Sequence, residues 1–174
     1  AATKQLTVSS AFGVAWRKAP GAIGQGVLGY AAVFPWIMGL LWLIATICQW
    51  VGLEPPVEPI HELLFLEQRP LVLALTLLLA CVVGPVAEEV LFRGVLFAAL
   101  RSRTSRLWAM AASGSVFAVV HTNPVGFVPI LLLGCVLADL YERTGSLLAS
   151  IAVHILHNTL LIGLGLTVKQ LLAS

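Results

Sequence analysis

The sequence predicts an all-α, polytopic membrane helix bundle with about five transmembrane helices, and three observations carry that prediction. The 174 residues are 59% hydrophobic and only 10% charged, where a soluble domain carries roughly 25% charged residues. Mean hydropathy is +0.98. Apolar runs recur at lengths that match the roughly 20 residues needed to cross a hydrocarbon core. The charges that interrupt these runs are few and clustered: Glu88, Glu89 and Arg93 lie inside an otherwise apolar stretch from Pro70 to Leu100. A charge at that depth costs at least about 2.5–3.5 kcal/mol on insertion scales, so such a cluster marks a functional site by default. The net charge of +2 is too small to indicate nucleic acid as a partner.

The chain divides into an N-terminal tail, 1–26, and one transmembrane bundle, 27–174. The tail lacks an h-region, so no signal peptide is visible. Its start at Ala1 without Met suggests a trimmed chain with room for an upstream helix. Lys4, Arg17 and Lys18 belong to this tail.

The first span is expected from about Val27 to Val51, with Trp36, Trp42 and Trp50 as lipid-facing or interfacial anchors. Gly52 to Arg69 is a polar loop holding Pro55, Pro56, His61 and the glutamates 54, 58, 62 and 67; His61 has no assigned role. The second run, Leu71 to Leu100, contains Gly84-Pro85. Proline is comfortable in a first turn and awkward in a helix interior, so a kink or restart is expected there. Arg101, Arg103 and Arg106 form a basic loop. The third span, Leu107 to His121, ends at the turn signal Thr122-Asn123-Pro124. The fourth runs from Val125 to Tyr141, and the fifth from Leu147 to about Val168, with Ser146 as its expected N-cap.

Five spans with the N-terminus inside place Lys4, Arg17, Lys18, Arg101, Arg103, Arg106 and Arg143 on the cytoplasmic side. Only Arg69 and Lys169 fall on the other side, which satisfies the positive-inside rule. No internal repeat is present. Cys48, Cys81 and Cys135 sit apart in apolar runs without CxxC spacing and read as small core residues.

Helical spacing separates the two glutamates. Glu89 and Arg93 are i,i+4 neighbours and can pair on one face, while Glu88 points about 100° away and is left free. A buried ion pair that fixes helix packing explains the first two residues but not Glu88. At 1.5 Å per residue, Glu88 lies about 18–20 Å from the Arg101 boundary, His121 about 22 Å from Arg106, and His154 and Asn158 about 16–22 Å from Arg143. Three helices thus carry polar groups to one depth. His154 and Asn158 are i,i+4 and face the same way, with His157 close to that face. His157 itself reads as a satisfied core histidine, Phe117 as packing that steadies His121, and Asp139 as half of a structural ion pair. Ser113 and Ser115 read as helix-packing positions rather than nucleophiles.

A free carboxylate in a water-poor cavity suits general-base chemistry. Glu88 can take a proton from a water held jointly with His121, and His154 with the Asn158 amide can donate to the oxyanion that follows attack on an amide. Glu88, His121 and His154 could instead bind Zn²⁺ and activate the same water. No HExxH motif is present, and the expectation is a site without a metal or other cofactor.

Three motifs in order carry a resemblance: Glu88-Glu89-Val90-Leu91-Phe92-Arg93 (EExxxR), Phe117 to His121 (FxxxH) and His154 to Asn158 (HxxxN). Together they resemble the CPBP family of intramembrane glutamic endopeptidases, which includes type II CAAX proteases and bacteriocin-processing proteins. The match spans about Val83 to Leu161. The resemblance implies a helical bundle with its site between core helices. It implies Glu88 as the residue that activates water, Glu89, Arg93 and Phe117 in support, and His121, His154 and Asn158 in catalysis. It also implies hydrolysis of a peptide bond in a membrane-bound or prenylated peptide. The expected partners are the lipid bilayer, that peptide substrate and membrane-complex subunits, and the expected location is a bacterial plasma membrane. Two other readings stay open. A non-catalytic scaffold or immunity protein of the same family would keep its function in Glu88→Gln, and a proton-relay transporter would show pH-driven flux, though without the repeats such proteins carry.

Overall fold

The computed structural model describes residues 19–53, 63–64, 66–67, 69–122 and 125–173. Lys4, Arg17, Lys18, His61, the glutamates 54, 58 and 62, and Asn123-Pro124 lie outside the described residues. Within them the chain is helical and contains no strand. Five helices follow in order: α1 (Ala19–Trp50), α2 (Pro70–Arg101), α3 (Arg106–Val120), α4 (Phe127–Thr144) and α5 (Leu147–Ala173).

Three of the five, α1, α2 and α5, are long and apolar enough to cross a membrane by length and composition. Helix α3 has 15 residues and is short for a full crossing. Helix α1 already includes residues 19–26, ahead of the expected beginning at about Val27, and Ala19, Ala22 and Gly26 are buried, so this stretch packs with the bundle. Trp36, Trp42 and Trp50 all face outward, as lipid-facing anchors should.

Helix α2 stays continuous through Gly84-Pro85, but its α turns restart there. π-helical turns at Leu79–Val83 precede an α segment that begins at Gly84 with Pro85 in its first turn, and a second π stretch follows at Val90–Phe97. The wider π turn moves the preceding carbonyls away from the proline ring, which would clash with an i−4 carbonyl in an ordinary α-helix. The Gly84 N–H reaches back five residues to the Leu79 oxygen. A Cβ at Gly84 would lie only 3.0 Å from that oxygen. Glycine is what lets this turn close.

Helices α3 and α4 make the tightest crossing. A Cβ on Gly134 would lie 3.0 Å from the Gly114 Cα, and one on Gly114 would lie 2.9 Å from Cys135 Sγ. Two glycines thus set the interhelical distance, as small residues do in membrane bundles. Gly134→Val should cost about 1–3 kcal/mol by overpacking, read as a lower unfolding midpoint in detergent. Ser113 is buried beside Gly114, its Oγ 3.5 Å from the Phe92 carbonyl, which fits a packing role.

Helix α1 packs on α4 and α5, and α2 on α3 and α5. Tyr30, Ile37, Phe92, Phe117, Leu133, Leu137 and Val153 form the main core between them. At the basic end, Arg101 Nε donates to Glu142 at 2.8 Å. Asp139 accepts from Arg106 and from Arg143, the latter at 2.6 Å. These pairs tie α2, α3 and α4 together and give Asp139 the structural partnership its position implied. Ser146 does not cap α5: its buried Oγ has no hydrogen-bond partner among the described residues. Its N–H instead donates to Thr144 Oγ1 at 3.2 Å, because the left-handed Gly145 (φ +60°) turns the chain there.

Candidate active site

The two adjacent glutamates go to different places. Glu89 is fully buried and its Oε1 accepts from Arg93 Nη1 at 2.8 Å. Arg93 also donates to the Gly134 carbonyl at 3.0 Å, and its guanidinium lies 4.7 Å from the centre of the Phe117 ring, a cation–π distance. The pair expected from i,i+4 spacing is therefore present, and it links α2 to α3 and α4. Glu88 turns instead toward a cavity of about 450 Å³ lined by residues of all five helices and by His121 at the end of α3.

His121 and His154 meet Glu88 at that cavity. Their Nε2 atoms lie 3.9 Å and 3.6 Å from Glu88 Oε2. That oxygen has no hydrogen-bond partner among the described residues. His121 follows the last turn of α3, and its Nδ1 lies 2.7 Å from the Phe117 carbonyl. His154 Nδ1 lies 2.9 Å from Glu89 Oε1, the oxygen already paired with Arg93. A carbonyl and an ion-paired carboxylate only accept, so both Nδ1 atoms carry the hydrogen. In the neutral rings, both Nε2 atoms then present lone pairs toward Glu88. Three acceptors thus converge where this cluster meets the cavity.

Asn158 lines the same cavity and donates through Nδ2 to the Ala80 carbonyl at 2.9 Å. The reason lies in Pro85. In the π register set by Gly84, the next donor to Ala80 would be the residue-85 N–H, which proline lacks. Asn158 takes over that orphan carbonyl and keeps its second amide hydrogen. Asn158→Leu would leave Ala80 unsatisfied and cost about 1–3 kcal/mol. Adding Pro85→Ala to that variant restores an N–H in place and should recover much of the loss, as a denaturation series in detergent would show.

The residues expected at the site are thus brought together: Glu88, Phe117, His121, His154 and Asn158 line the cavity, with the Glu89–Arg93 pair behind them. Phe117 contacts both histidines, with ring centroids 4.5 Å from His121 and 5.7 Å from His154. Apart from His157, the remaining wall is apolar, including Ile37, Leu41, Ile130, Leu133 and Leu161. Sequence spacing did not reveal the Gly134 and Ala80 carbonyls, nor the side chain that engages His157. Among the described residues, no group of three or more His, Cys, Asp or Glu side chains is arranged to hold a metal ion.

The fold is that of a membrane helix bundle. The family model described as "Type II CAAX prenyl endopeptidase Rce1-like" matches residues 70–160, and the chain belongs to that family. The chain is similar to "Putative membrane peptidase YdiL" of Bacillus subtilis (strain 168), 31% identical over 88 residues, covering 51% of this chain and 36% of that protein. It is also similar to "Uncharacterized 24.3 kDa protein" of Escherichia coli, 29% identical over 133 residues, covering 72% of this chain and 61% of that protein. The chain therefore spans less than two thirds of either relative. No solved structure matches it significantly.

Proposed function

We propose that this chain is an intramembrane endopeptidase, or the catalytic core of one, that hydrolyses a peptide bond with water activated by Glu88. The observation that carries the reading is the approach of Glu88 Oε2 to His154 and His121 Nε2, 3.6 and 3.9 Å apart, on the wall of a largely apolar cavity. A water bound where this cluster meets the cavity donates one hydrogen to the Glu88 carboxylate and the other to an imidazole Nε2. Its lone pair is then free to meet a substrate carbonyl, an orientation effect that removes much of the entropic barrier. Glu88 takes the proton as the C–O bond forms and returns it to the leaving amine as the C–N bond breaks.

Behind Glu88, the Glu89–Arg93 pair fixes the His154 ring and hence the face its lone pair presents. Phe117 does the same for His121 through its carbonyl. The free Asn158 hydrogen is available to the oxyanion. His154 joins it as a donor only when its ring holds a second proton, because Nδ1–H is committed to Glu89. Membership of the family supports a peptide carrying an apolar anchor as substrate, and the apolar cavity wall supports it too. Both curated relatives are bacterial, which supports a bacterial plasma membrane.

The test is cleavage of a panel of prenylated CAAX-type and leader-type peptides in proteoliposomes, read by mass spectrometry. A product from one class would give both the activity and the scissile bond. A scaffold or immunity protein would leave every peptide intact.

A further inference from the structure

Among the cavity-lining histidines, His157 differs from His121 and His154 in what its ring offers. It lies three residues after His154 and one before Asn158, so α5 presents 154, 157, 158 and 161 to the cavity as one stripe. Its Nδ1 is 2.7 Å from the Tyr30 hydroxyl of α1, both side chains are buried, and their rings meet edge-on at 5.8 Å.

Which partner donates is settled by counting hydrogens. Tyr30 has this one hydrogen bond among the described residues. If the imidazole donated, the phenolic hydrogen would be buried without an acceptor, an arrangement that native structures avoid. Tyr30 therefore donates and Nδ1 accepts, which leaves the hydrogen of the neutral ring on Nε2. His157 Nε2 engages no described residue, is not among the buried unpaired atoms, and belongs to a ring that lines the cavity.

We infer that His157, held in its Nε2–H tautomer by Tyr30, donates to the oxyanion during peptide hydrolysis, a further catalytic residue for the activity proposed above. The three rings then divide the work. His121 and His154 present lone pairs to orient water, while His157 presents a neutral N–H on the same wall. Tyr30 is the positioning residue, acting only through His157. The ring is buried and hydrogen-bonded at Nδ1, as expected of a core histidine, while its other edge engages no described residue. The inference rests on the proteolytic reading, so its test has one arm that does not require cleavage.

In that arm, ¹⁵N-histidine-labelled protein in lipid nanodiscs is compared with His157→Gln to identify the His157 signals. Wild type should show Nε2 protonated and Nδ1 bare, and Tyr30→Phe, which has no hydroxyl to donate, should change that pattern. A wild-type ring protonated at Nδ1 overturns the inference. In the kinetic arm, His157→Leu should lower kcat by about 10²-fold or more, the loss typical of one oxyanion donor, with KM little changed. His157→Gln, whose amide can donate, should recover part of it. A His157→Leu variant that cleaves with wild-type kcat overturns the inference while leaving Glu88 chemistry intact. A wild-type chain that cleaves nothing removes both.

Discussion

Glu88→Gln should reduce the single-turnover cleavage rate by about 10²–10⁴-fold, the contribution typical of a positioned general base. The amide keeps the size of the carboxyl and cannot accept the water proton. Glu88 has no hydrogen-bond partner at Oε2 among the described residues, and its side chain is 34% exposed. The substitution therefore breaks no structural contact there, and the unfolding midpoint should stay within experimental error of wild type. Loss of rate with retained stability is the signature of a group that acts on substrate rather than on the fold. A scaffold reading predicts no change in function, and equal cleavage by both proteins would remove Glu88 as the base.

Arg93→Met should do the reverse, acting first on the fold. Arg93 is fully buried and serves Glu89, the Gly134 carbonyl and the Phe117 ring at once. Its removal leaves Glu89 as an uncompensated charge at membrane depth. Breaking a buried ion pair from one side costs about 3–5 kcal/mol. The double variant Glu89→Met with Arg93→Met should recover much of the stability, because apolar replacements of similar volume are often neutral. Cleavage should not return with it. Without Glu89 Oε1, nothing fixes the His154 hydrogen on Nδ1, and the ring loses its set orientation toward Glu88. Chemical denaturation and cleavage measured on the same three variants would separate the two effects. A double variant that is both stable and fully active would show that the pair has no role in holding the site.

The parts of this site that were legible in the sequence are those fixed by helix geometry within one element. The Glu89–Arg93 contact follows from i,i+4 spacing, and the separate direction of Glu88 follows from the 100° step to its neighbour. The common depth of Glu88, His121 and His154 follows from rise per residue alone, and the structure brings those atoms within 3.9 Å. Contacts between elements were not legible in the same way. Tyr30 and His157 are separated by 127 positions, and nothing in either local pattern names the other. The π turns of α2 were not legible, because a Gly-Pro pair signals a kink or restart without saying that the helix widens and stays continuous through it. One signal was available there: a proline inside a membrane helix always frees an upstream carbonyl. A search for its new donor would have pointed to an amide such as Asn158. That α1 includes residues 19–26 was missed because these residues are small and interrupted by glycine, which lowers apparent helix propensity without preventing packing.

Direct attack by water is the central claim, and isotope placement in a single turnover tests it most directly. The enzyme in excess would be mixed with one peptide substrate in H₂¹⁸O, and both the product and the peptide containing Glu88 would be weighed by mass spectrometry. Water activated by Glu88 places one ¹⁸O in the new C-terminal carboxylate of the product and none in Glu88. Label found in the Glu88 carboxylate would contradict that account, because it would mean that Glu88 itself bonds to the substrate carbonyl.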